Sequence, residues 1–172
     1  MIDNPQNDFE RLQNAIAAQI EAQSVFSGIK LPDGSAWQVL TEDEGDIEFL
    51  FTKAIADAGL AVVVQAPTGR SVAKYENLPG PRFDATIPVQ ISEAVVFNRS
   101  DAGTKVRVQT AASTVRRALH LFTPSGIDGL KVPLKFVEAL RDRDRHPETG
   151  ALVASVVCVF TAVLNEQSLT IM

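Results

Sequence analysis

Apolar residues recur at helical spacing near the start of the chain: Phe9, Leu12, Ile16 and Ile20, with Glu10, Arg11, Gln13 and Gln19 between them. That spacing predicts an amphipathic helix over about residues 6–26. Gly28 and the run Pro32-Asp33-Gly34 break it, and Trp37, Val39 and Leu40 follow as a short extended piece. Thr41 and Glu44 fit a capping box. Behind it Ile47, Leu50, Phe51, Ala54, Ile55 and Ala58 line one face of a second helix, with Gly59 as its stop. Leu60-Ala61-Val62-Val63-Val64 is apolar at every position, the pattern of a central strand covered on both faces.

Residues 66–82 carry Pro67, Gly69, Pro79, Gly80 and Pro81 and read as a long loop within one domain. A period of two then sets in. Ile87, Val89, Ile91, Val95 and Phe97 point one way and Thr86, Gln90, Ser92 and Ala94 the other, predicting a half-buried strand. Pro88 suggests an edge or a bulge at its start. Residues 98–103 form a turn-rich loop. A third helix presents Ala111, Ala112, Val115, Ala118, Leu119 and Phe122 on one face, and Pro124, Gly126 and Gly129 close it. Its start stays open, because Val106 and Val108 alternate with Lys105 and Arg107 as a strand would.

The last third carries the cleanest alternation. Leu130, Val132, Leu134, Phe136 and Leu140 alternate with Lys131, Lys135 and Arg141; a turn follows at His146-Pro147-Glu148-Thr149-Gly150; residues 151–164 are a second strand, apolar on both sides. Together they predict a long β-hairpin. The order of elements gives an α+β fold: a mixed, mainly antiparallel sheet, helices packed on one face, and the hairpin at the C-terminus.

Composition narrows the class. A chain of 172 residues is one ordinary domain, read here as 1–172. An apolar fraction of 45% and a charged fraction of 22% exclude wholesale disorder. A net charge of −5 argues against nucleic acid held by bulk charge. Cys158 is the only cysteine, so no internal disulfide forms, and its apolar surroundings predict a buried, inert thiol. The first residues lack the basic and apolar regions of a secretory signal, and the apolar stretch 151–164 is too short for a membrane helix. A cytoplasmic protein with no membrane partner is expected.

Candidate chemistry is sparse. His120 and His146 lack partners at ligand spacing, so no metal site is expected. Ala66-Pro67-Thr68-Gly69-Arg70 lacks the spacing of a phosphate loop, and neither Ser35 nor Ser125 sits in a nucleophile-elbow frame. The acidic run Glu42-Asp43-Glu44 with Asp46 and Glu48 reads as the negatively charged first turn of a helix. No catalytic residue and no cofactor are expected. The alternative is a small-molecule-binding or enzymatic α/β domain with a pocket beneath the 66–82 loop, using Arg70, Lys74, Tyr75 and Arg82.

Arg141-Asp142-Arg143-Asp144-Arg145 is the most distinctive run. If the strand continues through it, three arginines fall on one face and two aspartates on the other. Such a ribbon is either a solvated hairpin tip or a self-complementary arm that touches neighbouring copies.

The assembled pattern resembles bacteriophage tail terminator or tail-completion proteins. The residues that carry the resemblance are Gly45-Asp46-Ile47-Glu48 and Ala58-Gly59-Leu60-Ala61-Val62-Val63-Val64 leading to Ala66-Pro67, then Val95-Val96-Phe97-Asn98-Arg99, then Ala118-Leu119-His120-Leu121-Phe122-Thr123-Pro124-Ser125-Gly126, and the final hairpin. The resemblance spans about residues 41–164 as architecture. It implies a non-enzymatic virion subunit, made in the host cytoplasm, that assembles with itself into a ring, typically a hexamer, on the tail tube and faces a head-side connector. Under that reading Asn98, Arg99, Arg141, Asp142, Arg143, Asp144 and Arg145 are the expected contact residues.

Overall fold

The first amphipathic stretch folds as α1 (Asp8–Glu21) and buries Leu12, Gln13, Ile16, Ala17 and Ile20. The computed structural model describes residues 8–42, 45–71, 82–127, 130, 132–147 and 150–165. α1 stops short of residue 26. Gln23 is extended (φ −71°, ψ 139°), and a single further turn, α2 (Ser24–Ser27), buries Phe26. Phe26 stacks on Trp37 with ring centroids 5.3 Å apart. The Trp37 indole N–H donates to the Leu60 carbonyl at 2.9 Å, which pins the extended piece to the sheet before β1 (Leu40–Thr41).

Thr41 is not the N-cap of the next helix. It pairs with Val64 in a strand, and α3 (Ile47–Ala58) begins only after Asp46, which makes no side-chain cap bond. Glu44, the other half of the expected capping box, lies outside the described residues. Of the predicted apolar face, Ile55 and Ala58 are buried and the rest half-buried. Gly59 ends α3 at φ 76° with its N–H on the Ile55 carbonyl. A side chain there meets a second obstacle, since a Cβ would stand 2.7 Å from Asn98 Cα.

β2 (Leu60–Val64) is buried at every position. The long loop expected over 66–82 is strand at both ends: β3 (Thr68–Ser71) pairs antiparallel with the start of β4 (Arg82–Ala94), from Thr68 opposite Thr86 to Ser71 opposite Phe83. β2 pairs with the other half of β4. Two short strands thus share one side of a long one, and the gap between them falls at Pro88. The Gln65 N–H donates to the Pro88 carbonyl, so the donor that proline lacks points into that gap. Pro88 therefore sits inside the sheet, at a break in its partner rather than at an edge.

β4 ends at Ala94, not at Phe97. Val95, Val96, Phe97 and Asn98 make a helical turn, α4 (Val95–Asn98). The third helix is α5 (Val108–Leu119), so Val106 lies before it in a loop and Val108 is its first residue. The hairpin follows as β5 (Lys135–Arg145) and β6 (Leu152–Asn165), from Lys135 opposite Thr161 to Arg145 opposite Leu152. Leu130 makes only an isolated bridge to Leu164, and Leu134 is buried just before β5 begins. The six-stranded sheet runs β1-β2-β4-β6-β5, with β3 beside β4; β1 and β2 are parallel and the other pairs antiparallel. It is the α+β architecture, mixed sheet and C-terminal hairpin that the alternation predicts.

Alternation divides the sheet into two faces. Leu60, Val62 and Val64 on β2, Ala85, Ile87, Val89 and Ile91 on β4, and the even-numbered residues Ala154 to Leu164 on β6 share the face that α1 and α5 cover. Burial of each large side chain there contributes about 1.5–3 kcal/mol. α3 closes one corner of the reverse face, where Ile55, Ala61 and Ala94 form a second cluster. Val153, Val157, Val159 and Val163 on that face are half-buried.

Cys158 lies in the core row and is fully buried. Burial pushes its thiol pKa up, and the nearby Arg116 partly offsets this. The folded chain thus keeps a proton that the unfolded chain gives up near pH 9.0, so this group's stabilising effect is complete below that pH and is lost as pH rises on through the higher folded value. At pH 8, iodoacetamide is expected to leave the native protein unlabelled and to label Cys158 rapidly in denaturant. Rapid labelling of the native state would contradict this placement.

Candidate interface at the hairpin tip

β5 is the outer edge of the sheet, and residues 138–145 on it are exposed throughout. Which side chain faces which way depends on one bulge. The register shifts between Phe136 and Glu138, so Val137 is unpaired. Phe136 stands opposite Phe160 on the core face, in an edge contact at 5.8 Å. Beyond the bulge the phase reverses, and Leu140 lies opposite Val157 on the reverse face instead of beside Phe136.

The strand continues to Arg145, and the phase beyond the bulge decides the sign of each face. Arg141 and Arg143 lie opposite Val156 and Ala154, on the core face; Asp142 and Asp144 lie opposite Ser155 and Val153, on the reverse face. Asp142 Oδ1 accepts the Arg143 N–H and Asp144 Oδ1 the Arg145 N–H, each at 2.7 Å. The Arg145 guanidinium donates to the Gly150 carbonyl across the turn at 3.0 Å. Among the described residues neither Arg141 nor Arg143 has an ion-pair partner.

On the core face, beyond the reach of α1, a groove of about 460 Å³ opens beside the start of α5. Arg99, Arg141 and Arg143 rim it, Asp142, Gln109 and Ser155 also line it, and Val108, Ala154 and Val156 contribute to its floor. A second groove of about 460 Å³ lies on the reverse face, between α3 and the hairpin turn, lined by Glu42, Glu48, Phe51, Gln90 and His146 among others.

Arg99 is held by a group that the sequence alone did not single out. Glu93 falls in the apolar row of β4, just after Ile91, and is completely buried. Its Oε1 accepts from Arg99 Nε and from Asn98 Nδ2, both at 3.1 Å, and its Oε2 accepts the Val108 N–H at 3.0 Å. A buried carboxylate needs such donors, because stripping it of water without them is costly. They bend the chain out of the strand at Ala94 and set where α5 starts. The signal available in the sequence is an acidic residue within the row Ile87, Val89, Ile91, Val95.

Asn98, expected from the sequence as a contact residue, is fully buried within the chain. Its Nδ2 donates to the Val106 carbonyl as well (2.8 Å), its Oδ1 accepts from the Thr104 hydroxyl (2.5 Å), and its own carbonyl accepts the Lys105 N–H (2.8 Å). Gly103 passes so close that a Cβ would stand 2.3 Å from the Phe97 carbonyl oxygen. Asn98 organises the loop; Arg99 and the run 141–145 remain on the surface.

The other candidates do not converge. His120 ends α5 and accepts the Phe136 N–H at its Nδ1 (3.3 Å), while His146 is in the hairpin turn. Glu42 accepts the Ala66 N–H at 2.6 Å, and Asp43 and Glu44 lie outside the described residues. Arg70 and Arg82 fall in β3 and β4, and Lys74 and Tyr75 lie outside the described residues, so no pocket beneath residues 66–82 is defined. Among the described residues no three acidic, histidine or cysteine side chains are grouped to hold a metal ion, and no helix is long and apolar enough to cross a membrane.

No protein-family model matches the chain, and no curated protein sequence matches it. The fold does have a solved counterpart. A chain of the virion of a native gene transfer agent particle superimposes with a TM-score of 0.55 over 90% of this chain and 94% of its own length, at 19% sequence identity. The architecture is therefore shared along nearly the whole of both chains.

Removing Glu93, Asn98 or Arg99 is expected to destabilise the protein severely. Arg99→Ala leaves the buried Glu93 carboxylate without its cation and should cost the most, about 3–5 kcal/mol. Glu93→Ala leaves the Val108 N–H and one Asn98 N–H without their acceptor, while the half-exposed Arg99 can turn to water, and like Asn98→Ala should cost about 2–3 kcal/mol. Urea denaturation of the three variants tests this order.

Proposed function

We propose that this chain is a non-enzymatic structural subunit of a phage-like particle, a tail terminator or tail-completion protein that assembles into a ring on the tail tube. The observation that carries the reading is the near full-length likeness of its fold to a chain of a gene transfer agent virion. The resemblance to tail terminator proteins agrees with it. Two structural features support it physically. The sheet ends in a long exposed edge strand, β5, and the outermost part of that strand presents opposite charges on its two faces. Neither feature serves the core, and both suit a protein that makes its contacts with other chains.

In this role the partners are other copies of the chain, the tail tube protein and the head-side connector, and the protein resides in the virion tail. The groove beside α5 and the hairpin tip would then lie at contacts between subunits. No covalent step is required of any residue.

Light scattering at increasing concentration in low salt should show mass rising from one chain to a closed oligomer, with rings visible by negative-stain electron microscopy, alone or on added tail tubes. A mass fixed at one chain, with no ring on tubes, would overturn the reading.

A further inference from the structure

Building on the assembly reading above, we infer that subunits join head to tail through the hairpin tip, Asp142 and Asp144 of one copy seating in the groove rimmed by Arg99, Arg141 and Arg143 of the next. The argument is one of symmetry and sign. β5 carries Arg141 and Arg143 on its core face and Asp142 and Asp144 on its reverse face, all exposed. A two-fold contact that lays either face on its own kind puts arginine on arginine or aspartate on aspartate. An antiparallel two-fold pairing of two β5 edges does no better, because its axis is normal to the sheet. It keeps each face on its own side, and within the charged run arginine again stands opposite arginine. Like charges directly opposed in a sheet destabilise the pairing. Only a heterologous contact, reverse face on core face, brings the opposite charges together, and repeated contacts of that kind close into rings when the rotation allows.

The two surfaces also match in what surrounds the charge. The groove takes an apolar contribution from Val108, Ala154 and Val156 beside the polar Gln109 and Ser155, and its own Asp142 stands at its margin among the three arginines. The reverse face offers Leu140, 55% exposed, beside Asp142 and Asp144. Among the described residues both aspartates accept the neighbouring N–H at Oδ1 and have no further bond, and Arg141 and Arg143 have no ion-pair partner. Arg99 reaches the same groove but is anchored on Glu93, so it is pre-positioned.

The test uses two full-length variants with single-signed tips: D142R/D144R, positive on both faces, and R141D/R143D, negative on both. All four sites are exposed, and unchanged thermal melting checks that each variant folds. Each alone should associate at least about tenfold more weakly than the wild type, since opposed like charges cost several kcal/mol. An equimolar mixture should recover association to within about threefold of the wild type, because the two kinds can alternate around a ring. Variants that assemble alone as well as the wild type, or a mixture that fails while the wild type assembles, would overturn this contact and leave the assembly reading standing. A wild-type chain that never assembles overturns both.

Discussion

Glu93 puts a charge where the rest of its row is apolar, and much of the molecule is arranged around meeting that demand. Ile87, Val89 and Ile91 precede it on the same face of β4, and all are fully buried. The donors that satisfy Glu93 come from three places: Asn98 in the turn after the strand, Arg99 at the surface, and the backbone of Val108 at the start of α5. One side chain thus fixes where β4 ends, how the 99–107 loop folds back and where α5 begins. Two glycines, Gly59 and Gly103, let the backbone approach Asn98 closely enough for this to close. The constraint carries outward as well. Because Arg99 is tethered from inside, one side of the groove's rim is set by a buried group, while Arg141 and Arg143 on the hairpin supply the other.

Sign at the hairpin tip depends on a different local event. Alternation of arginine and aspartate guarantees two faces of opposite charge in any strand, but not which charge faces which side. The bulge at Val137 decides that. Without it, Arg141 and Arg143 would lie on the reverse face and the aspartates beside α5. The groove would then be ringed by carboxylates and one tethered arginine, which would change what it could receive.

How much of this was legible follows from the physics of each part. α1, β2 and the two strands of the hairpin were readable because burial of one face leaves a periodic trace, as in Leu12, Ile16 and Ile20 or in Val156, Cys158, Phe160 and Ala162. The turn at 95–98 was not, because Val95, Val96 and Phe97 are as apolar as a strand, and what bends them is a tertiary hydrogen-bond demand from Glu93. The cap of α3 was misplaced for a related reason: Thr41 has the chemistry of a cap but is taken by pairing with Val64. β3 was hidden among prolines and glycines in a segment that reads as loop. At the candidate interface, the run 141–145 is marked by its charge pattern and Arg99 only by the resemblance, and both are exposed; Asn98 is buried, and a buried asparagine looks the same in sequence as an exposed one. The same architecture also occurs in a chain only 19% identical in sequence.

Pro88 has a consequence for what can lie beside it. Its carbonyl takes the Gln65 N–H, so Gln65 stands in a hydrogen-bonded position opposite a residue with no hydrogen to return, and the ladder cannot continue unchanged through that point. β2 stops at Val64 and a separate strand, β3, starts at Thr68. The proline thus divides one side of β4 between two strands.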